Sequence, residues 1–501
     1  MRGIILRKRE GMEENRRTKI VATIGPATWH ARRLEQLVRA GVDVVRVNFS
    51  HAEYDQSRRL IALVRKLSDK FDRPIGVIGD LQGPKIRTGK LKGGKAVRLV
   101  PGDECTITTE QIEGTAKRLS TTYAALPKDV NPGQQILLAD GARALEVLAT
   151  TDTEVRCRVL VGGKLAEHQG INLPGTKISA PSLTQKDIAD LEFCLEEDVD
   201  YVALSFVRRA KDILDLRRRI KKHGRQTPIV AKIEKPEALK NINAILQATD
   251  AVMVARGDLG VEMAPEAVPL AQKRLIAMSN LLGKPVITAT QMLESMIRNP
   301  RPTRAEASDV ANAIFDGTDA VMLSAETAVG KYPVQAVETM ARIARAVERA
   351  SFSESENGAG PRREWRRHYD LDVTAVTEVG ESSVETAAAD AAVSAAEDLD
   401  AAIVVFTLSG STAMKIAKRR PASRIFALTP AVETYNRLSM VWGVTPLRMP
   451  VGEQTDAILE AGEDALVKGG NLKKGDMAVI VAGAMPMRGA TNLVKIQTVG
   501  E

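Results

Sequence analysis

Short apolar runs rich in β-branched residues recur along the first two-thirds of the chain, and amphipathic stretches lie between them. The runs are residues 19–25, 44–50, 74–80, 201–206, 228–234, 251–258, 285–290 and 320–326. Stretches such as ARRLEQLVRA (31–40) and VQAVETMARIARAVERA (334–350) have the periodicity of helices. Because alternating strands and helices favour parallel pairing, eight such units predict a closed (β/α)8 TIM-type barrel rather than an open sheet.

Two other regions depart from this pattern. Residues 81–200, between the third and fourth runs, alternate like short strands separated by turns, which predicts an inserted β-rich domain. The polar stretch SFSESENGAGPRREWRR (351–367) predicts a linker, and a second α/β pattern begins near Glu381. We therefore expect a barrel domain (1–84 and 180–350), an inserted domain (85–179), a linker (351–380) and a C-terminal α/β domain (381–501).

The composition narrows the class of protein. Hydrophobic residues make up 44% of the chain and aromatic residues 3%, which suits the aliphatic cores of buried parallel strands. No apolar run is long enough for a membrane span or a signal-peptide core, so we expect a cytoplasmic protein with no membrane partner, starting at Met1 or Met12. Cys105, Cys157 and Cys194 are widely spaced, which favours free thiols.

The net charge of +8 could indicate a nucleic-acid partner or an anionic small molecule. The cations are scattered along the chain, and few aromatic residues lie among them. Since stacking aromatics and basic patches are typical of nucleic-acid binding, we expect a small anionic substrate and no nucleic acid.

Polar residues gather at the C-terminal ends of several predicted strands with a spacing of two, which places them on one face of each strand. Active sites of such barrels lie at this rim. The alternative for any single pair is that it merely faces solvent. The residues are Arg46, Asn48 and Ser50; Lys232 and Glu234; Thr288 and Thr290; and Ser324 and Glu326.

Two of these strand ends carry the groups expected of a metal site. Lys232 would be costly inside a barrel without an anionic partner. Glu234 and Asp258 are carboxylates on neighbouring strands, a donor set that suits Mg²⁺, with Mn²⁺ as the alternative. Zinc has little support, because H-E-x-x-H and paired cysteines are absent. The turn from Gly257 to Gly260 could hold an anion on its backbone N–H groups.

A series of motifs from residue 18 onward resembles the pyruvate kinase family of bacterial type. They are TKIVATIGPAT (18–28), VRVNFSHA (45–52), DLQGPKIRTG (80–89), INLPG (171–175), AKIE (231–234), MVARGDLGVE (253–262), ITATQMLESM (287–296), PTRAEASDVANAIFDGTDAVMLSAET (302–327) and SGST (409–412). The resemblance implies a catalytic barrel, an inserted β-barrel-like lid, a C-terminal effector domain and a homotetramer. It also implies phosphoryl transfer from phosphoenolpyruvate to ADP.

The resemblance implies roles for residues at matching positions. Lys232, Arg46 and Arg87 offset the charge of the phosphoryl group, and Glu234 and Asp258 hold the metal. The backbone at Gly257 and Asp258 and the hydroxyl of Thr290 hold the substrate carboxylate. We expect a water chain along Thr290, Ser324 and Glu326 to protonate the enolate.

The chain has no Walker loop that could bind a nucleotide. The resemblance implies that ADP binds at Asn48, His51 and Arg87. Two lid positions depart from the family pattern. His168 and Gln169 stand where many relatives carry a lysine before the glycine of G-[VI]-N-L-P-G.

Lys85 departs from the family pattern, since many pyruvate kinases carry a glutamate there. Those enzymes need a monovalent cation, held by residues that match Asn48, Ser50 and Asp80. A lysine ammonium is a compact point charge, so our hypothesis is that Lys85 replaces K⁺ and that activity does not require potassium. The alternative is an ordinary surface lysine.

The segment FTLSGSTAMKIAKRR (406–420) predicts a strand followed by a helix whose start is lined by hydroxyls. Such a junction can bind a phosphate, or it can simply cap the helix. Because relatives bind sugar phosphates or AMP here, we expect a phosphorylated allosteric effector. The candidate residues are Thr407, Ser409, Gly410, Ser411, Thr412 and Arg488.

Two rival functions fit parts of the same pattern. One is another Mg²⁺-dependent barrel that handles phosphoenolpyruvate or pyruvate, such as a lyase. The other is an inactive barrel that senses phosphate or binds nucleic acid, which only the basic balance favours.

Overall fold

A computed structural model describes residues 16–352, 383–449, 455–483 and 491–500 of the chain. The described chain opens with three strands separated by two amphipathic helices: β1 (Lys19–Thr23), α1 (Ala31–Ala40), β2 (Val44–Asn48), α2 (Tyr54–Lys70) and β3 (Gly76–Asp80). Helix α1 buries Leu34, Leu37 and Val38 and ends where Gly41 adopts φ 116°, a left-handed conformation that suits glycine. The predicted helix at 31–40 therefore forms with the expected bounds.

The chain then leaves this pattern and forms mostly antiparallel β-structure. The elements are β4 (Val97–Leu99), β5 (Glu104–Thr108), β6 (Arg118–Ser120), α3 (Leu126–Asp129), β7 (Gln135–Leu138), β8 (Arg143–Thr150), β9 (Glu154–Val161), β10 (Gly163–Leu165) and β11 (Ile171–Asn172), with a 3-10 turn at Lys92–Gly94. Six strands form a sheet in the order β11-β7-β8-β9-β5-β6, and β10 pairs with β4. This inserted segment has a hydrophobic core of its own, in which Cys105 and Cys157 are buried free thiols.

Alternating helices and strands resume after the insertion. They are α4 (Gln185–Glu196), β12 (Tyr201–Leu204), α5 (Ala210–Lys222), β13 (Ile229–Ile233), α6 (Pro236–Lys240), α7 (Ile242–Ala248), β14 (Ala251–Ala255), α8 (Arg256–Glu262), α9 (Val268–Leu281), β15 (Val286–Ala289), α10 (Arg304–Phe315), β16 (Ala320–Leu323), α11 (Ala325–Ala328) and α12 (Pro333–Phe352), with 3-10 turns at Pro265–Ala267 and Glu294–Ile297.

Eight of these strands close into a barrel in the order β1-β16-β15-β14-β13-β12-β3-β2, and each neighbouring pair is parallel. The predicted (β/α)8 barrel is therefore confirmed. The predicted runs extend past the observed strands at their C-terminal ends. For example, β15 ends at Ala289 and β16 at Leu323, so Thr290 and Ser324 already belong to the rim.

The C-terminal part forms a second α/β unit, as expected. Its elements are α13 (Val384–Asp398), β17 (Ala402–Phe406), α14 (Ser411–Ala417), β18 (Ile425–Thr429), α15 (Val432–Arg437), β19 (Val444–Arg448), α16 (Thr455–Lys468), β20 (Met477–Gly483) and β21 (Thr491–Thr498), with a 3-10 turn at Leu438–Met440. The strand order is β19-β18-β17-β20-β21, and β21 runs antiparallel to β20. Most of the predicted linker lies outside the described residues.

This unit packs against the N-terminal ends of the barrel strands. Met440 is fully buried among barrel residues such as Val21 and Ile78. The hydroxyl of Tyr201 donates a hydrogen bond to the carbonyl of Arg437 at 3.0 Å. The C-terminal ends of the strands consequently face away from it, toward the inserted segment. None of the helices in the described ranges combines the length and apolarity needed to cross a bilayer.

Candidate active site

Lys232 lies on β13 and is the centre of a buried group of charges at the barrel rim. Its Nζ is 2.7 Å from Ser205 Oγ, 2.9 Å from Glu234 Oε1 and 3.3 Å from Asp80 Oδ1. Burial by itself would lower the pKa of Lys232, but Asp80 and Glu234 outweigh it and hold that pKa above the usual range. The ammonium therefore stays charged at neutral pH, and it has the anionic partners that its burial requires.

Asp80, at the end of β3, joins Lys232 to a second cation. Arg46 Nε donates to Asp80 Oδ2 at 2.6 Å, and Arg46 Nη1 donates to Thr23 Oγ1 at 2.9 Å. Asp80 is 1% exposed, and although burial opposes it, Arg46 and Lys232 together lower the pKa of its carboxyl. One carboxylate from β3 thus orients cations from β2 and β13.

Two carboxylates lie at the ends of neighbouring strands. Glu234 follows β13 and accepts a hydrogen bond from the Phe206 N–H at 2.7 Å. Burial raises the pKa of Glu234. The positive charge of Lys232 opposes this increase, and the negative charge of Asp258 adds to it. Asp258 lies in the first turn of α8 and is partly exposed. Within the described chain, no hydrogen bond or ion pair engages the Asp258 carboxylate.

This donor set fits a hard divalent cation. Glu234 and Asp258 supply carboxylate oxygens, their mutual repulsion would be relieved by a positive ion, and Asp258 has no competing partner among the described residues. Across the described ranges, no group of three or more histidine, cysteine, aspartate or glutamate side chains is placed to hold a metal. Two carboxylates leave the remaining positions to substrate oxygens and water, as Mg²⁺ prefers.

Thr290 has a strained backbone beside α8. Its φ is 68° and that of Gln291 is 54°, although a β-branched residue rarely adopts a left-handed conformation. In this geometry Thr290 Oγ1 accepts a hydrogen bond from the Gly257 N–H at 2.6 Å. A Cβ on Gly257 would lie 3.3 Å from that oxygen, so the close approach favours glycine. The predicted carboxylate-binding groups therefore meet at one point.

Ser324 and Glu326 lie together at the end of β16. Glu326 Oε2 accepts from the Ser324 N–H at 2.7 Å, and Oε1 accepts from the Leu293 N–H at 3.1 Å. Burial raises the pKa of Glu326. Ser324 Oγ is buried with no hydrogen-bond partner among the described residues. Thr288 is different, because it is fully buried and bonded to Thr318 at 3.0 Å, which makes it a core residue.

Asn48, Ser50 and His51 form a turn after β2. Asn48 Oδ1 accepts from the Ser50 N–H at 3.1 Å, and the Asn48 carbonyl accepts from the His51 N–H at 3.1 Å. Asn48 is also the register partner of Asp80 on β3. Partial burial lowers the pKa of His51, and the cations Lys85 and Arg87 lower it further. The surroundings of His51 are therefore electropositive.

Arg87 reaches into the inserted segment. Its Nη1 donates to the His168 carbonyl at 3.3 Å, its backbone N–H donates to Thr122 Oγ1 at 3.0 Å, and it forms an isolated antiparallel bridge with Gly170. Arg87 is thus held to the insertion by both its backbone and its side chain.

Lys85 lies in the cleft between the rim and the insertion, and its side chain is solvent-accessible. The walls of the cleft remove water from around the ammonium, and this desolvation lowers the pKa of Lys85. The charge of Asp258 opposes the shift, whereas the charges of Arg87 and Lys232 add to it. In the part of the chain that the structure describes, Lys85 makes no ion pair within 4 Å. The ion pairs of Asp80 are with the two rim cations instead.

Two side chains that sequence reasoning missed support the rim. Ser205 is the last residue but one of the fourth predicted run, YVALSF, so the strand-end rule could have found it. Arg256 is 8% exposed and donates from Nη2 to the Thr290 carbonyl at 2.8 Å. No spacing in the sequence connects Arg256 with Thr290, because they belong to different strand ends.

A third missed group connects the insertion to the barrel. Asn172 Nδ2 donates to Glu262 Oε1 at 3.1 Å, and the same carboxylate pairs with Lys235. Glu262 is 5% exposed at the end of α8. The INLPG motif is therefore held against the helix that begins with the GDLG turn.

The loop before α14 has the expected hydroxyls, but they do not all make hydrogen bonds within the loop. Gly410, with φ 82°, donates its N–H to Thr407 Oγ1 at 2.9 Å, and the Ser411 N–H donates to Ser409 Oγ at 3.4 Å. Thr412 is 3% exposed and bonds Glu385 at 2.9 Å and Thr491 at 2.7 Å, so its hydroxyl is already engaged. Arg488 lies outside the described residues.

Comparison with known proteins gives one family for both α/β units. The family model "Pyruvate kinase, barrel domain" matches residues 15–337, and "Pyruvate kinase, alpha/beta domain" matches residues 386–497. The chain is 45% identical over 491 residues to a pyruvate kinase of Geobacillus stearothermophilus, covering 97% of this chain and 81% of the relative. It is 46% identical over 488 residues to a pyruvate kinase of Mycobacterium tuberculosis, covering 97% of this chain and 99% of the relative.

A crystal structure of a pyruvate kinase from Cryptosporidium parvum superposes with a TM-score of 0.86 at 35% identity, covering 97% of this chain and 96% of that chain. The agreement extends over the barrel, the insertion and the C-terminal unit together.

Proposed function

Because the chain belongs to the pyruvate kinase family, whose members transfer a phosphoryl group from phosphoenolpyruvate to ADP, we propose that the charged rim of the barrel is its active site. The chain is a phosphotransferase that gives pyruvate and ATP. The observation that carries the proposal is the buried Lys232, which Asp80 and Glu234 keep charged beside the open end of the barrel.

Charge is the main obstacle to this reaction. Phosphoenolpyruvate and ADP are both polyanions, and two unit charges ~4 Å apart repel by about 4 kcal/mol at an effective dielectric near 20. Lys232 and Arg46 offset this repulsion from the barrel wall, and Arg87 does so from the side of the insertion. Positioned cations contribute about 10³ to 10⁵ in rate to phosphoryl transfer. Lys232 contacts the phosphoryl group in transit.

Glu234 and Asp258 would hold Mg²⁺, which the family normally uses, or Mn²⁺. Such an ion would neutralise the developing charge on phosphoryl oxygens and orient them for transfer. Glu234 is anchored by the Phe206 N–H and by Lys232, whereas Asp258, which has no partner in the described part of the chain, can turn toward a ligand. This combination of one fixed and one adjustable carboxylate supports the assignment.

The substrate carboxylate binds at the backbone of Gly257 and Asp258 and at the hydroxyl of Thr290. The N–H of Gly257 already donates to Thr290 Oγ1, so an anion placed there would take over an aligned donor. Ser324 and Glu326 continue from this point toward the enolate carbon. The Ser324 hydroxyl, which has no hydrogen-bond partner within the described ranges, and the raised pKa of Glu326 support a proton relay through water.

ADP binds at Asn48, His51 and Arg87, and the inserted domain (85–179) closes over it as a lid on the barrel domain (1–84 and 180–350). Arg87, one of the proposed ADP-binding residues, also contacts His168 in the insertion. This contact supports a coupling between the position of the lid and the binding of the nucleotide. A linker (351–380) connects these parts to an effector domain (381–501). The buried free thiols support a cytoplasmic location.

Three further properties belong to this proposal. Lys85 supplies the positive charge that K⁺ provides in relatives at the pocket of Asn48, Ser50 and Asp80, although among the described residues Asp80 pairs with Arg46 and Lys232 instead, so potassium is not required. A phosphorylated effector, either a sugar phosphate or AMP, binds at Thr407, Ser409, Gly410, Ser411, Thr412 and Arg488. The assembly is a homotetramer, as the family resemblance implies.

A coupled assay of pyruvate formation tests the site. We expect turnover that requires both ADP and a divalent cation, and we expect Lys232→Met to reduce kcat by about 10³-fold or more. Ser205→Ala, which removes a neutral partner of the same ammonium together with a hydrogen bond to the Leu81 carbonyl, should cost far less. Equal losses in the two variants would contradict the role of Lys232, and ADP-independent pyruvate formation would favour a lyase.

Titration of the enzyme with sugar phosphates and with AMP tests the effector site. We expect one class to lower the half-saturating concentration of phosphoenolpyruvate, and we expect Ser409→Ala together with Ser411→Ala to weaken that response. An absence of response to either class would remove the effector proposal while leaving the catalytic one intact.

A further inference from the structure

Thr290 and Gln291 are consecutive residues with left-handed backbone conformations, at φ 68° and 54°. Such conformations are unfavourable for residues other than glycine, most of all for a β-branched one. They persist only where the surrounding structure enforces them. Some group must therefore hold this two-residue turn at the end of β15.

Arg256 contacts three successive residues at the turn, beginning with Thr290. Its Nη2 lies 2.8 Å from the Thr290 carbonyl oxygen, 3.4 Å from that of Gln291 and 2.7 Å from Met292 Sδ. One guanidinium thus reaches three successive residues from the first position of α8. Because it contacts two neighbouring carbonyls at once, it constrains the torsion angles between them.

The guanidinium is itself held in place. Arg256 is 8% exposed, and its Nη1 donates to Asp309 Oδ1 at 2.7 Å and to Gln272 Oε1 at 3.2 Å. Gln272 is fixed in turn by Asp316, to which its Nε2 donates at 2.9 Å. A rigid and anchored cation can enforce a strained turn, whereas a flexible one could not.

We propose that Arg256 is a positioning residue that sets the affinity for phosphoenolpyruvate by holding Thr290 in its left-handed conformation. In that conformation Thr290 Oγ1 meets the Gly257 N–H, which is the point where the substrate carboxylate binds. Arg256 does not touch the substrate. The inference rests on the proposed role of Thr290.

The test compares Arg256→Met and Arg256→Lys with the wild-type enzyme in steady-state assays. The KM for phosphoenolpyruvate should rise at least tenfold in both variants, while the KM for ADP changes less than twofold. Arg256→Lys keeps a cation beside Asp309 but cannot span two carbonyls, so it remains informative if Arg256→Met does not fold. Parallel changes in both KM values, or no change in either, would overturn the inference.

Gln291→Gly provides a rescue that a merely structural role would not show. Glycine adopts positive φ without strain, and the Gln291 side chain is exposed. In the Arg256→Lys background, Gln291→Gly should lower the raised KM for phosphoenolpyruvate at least threefold. As a single substitution, Gln291→Gly should change that KM less than twofold. Failure to recover would overturn the inference.

Thr290→Ala separates this inference from the proposed function. If Thr290→Ala leaves the KM for phosphoenolpyruvate unchanged, then the assigned carboxylate site is wrong and the inference falls with it. If Thr290→Ala raises that KM but neither Arg256 variant does, then the site stands and the positioning role of Arg256 is wrong.

Discussion

Buried charges at the rim are tolerable because each one is shared. Asp80 receives Arg46 and Lys232, and Lys232 is also bound by Glu234, so two cations and two carboxylates stabilise each other in a water-poor position. Burying any one of them alone would be strongly unfavourable. Lys85 stands apart from this group, since it is accessible and unpaired among the described residues.

The role of Lys85 can be tested by restoring the family's glutamate. We expect wild-type turnover to differ less than twofold between KCl and NaCl at equal ionic strength, because the ammonium is present in both. Lys85→Glu should acquire a potassium requirement of at least tenfold, and Lys85→Gln should lose activity in both salts. A wild-type enzyme that needs potassium would make Lys85 an ordinary surface lysine.

Acid stability should depend on a carboxylate far from the rim. Asp43, at the start of β2, binds Arg16 at 2.6 Å and the Ile20 N–H at 2.8 Å. Burial alone would raise the pKa of Asp43, but Arg16 and Lys19 outweigh it, and the net shift is below the ordinary value of 3.8. The stabilising contribution is therefore complete above about pH 4 and is lost as the pH falls toward the lowered pKa.

We expect Asp43→Asn to reduce the free energy of unfolding by about 1.5–3 kcal/mol at pH 7. The difference from wild type should shrink below pH 4. Denaturant unfolding at several pH values measures it, and Asp55→Asn serves as the control, because the Asp55 side chain is 88% exposed. A difference that is independent of pH would contradict the assignment.

At the scale of elements, α8 connects several parts of the proposed site. It begins immediately after β14, although the sequence pattern extends the strand to residue 258. Its first turn carries Asp258, and its last residue, Glu262, binds Asn172 of the insertion. A short helix therefore replaces the end of the predicted strand, and its position relates the insertion to the proposed carboxylate site.

Two glycines of α8 give a matched pair of variants. A Cβ at Gly257 would lie 3.3 Å from Thr290 Oγ1, whereas a Cβ at Gly260 would meet only Val268 Cγ2 at 3.7 Å. We expect Gly257→Ala to raise the KM for phosphoenolpyruvate at least fivefold by displacing the Thr290 hydroxyl. Gly260→Ala should change it less than twofold. Similar KM values in the two variants would show that the close approach is not needed.

At the scale of the whole molecule, the C-terminal unit is bound to the barrel by buried charges at the end opposite the site. Asp319 precedes β16, accepts from the Val286 N–H at 2.8 Å, pairs with Lys418, and lies 3.2 Å from Arg420. These residues connect the segment after the hydroxyl-lined loop to the starts of β15 and β16. The same two strands end immediately before Thr290 and Ser324.

Asp319→Asn would remove the carboxylate that pairs with two largely buried cations, Lys418 and Arg420. We expect it to reduce the free energy of unfolding by about 3–5 kcal/mol. Asp464→Asn is the matched control, because Asp464 pairs with Lys468 on the exposed face of α16, and it should have no measurable effect. Thermal unfolding of both variants measures the difference, and equal midpoints would contradict a structural role for the Asp319 pairs.

The sequence by itself determined the barrel, the β-rich insertion and the second α/β unit. Strand and helix periodicities are local, and eight alternating units leave few other topologies. It also identified most rim residues, since Arg46, Lys232 and Glu234 stand at strand ends.

The tertiary structure alone decided which of these residues meet. Asp80 with Lys232, Arg87 with His168, and Arg256 with Thr290 each join segments far apart in the chain. The left-handed turn at Thr290 likewise has no local cause, because threonine disfavours it. Closing the barrel brings separate strand ends within hydrogen-bonding distance, and that distance, rather than any spacing along the chain, selects the partners.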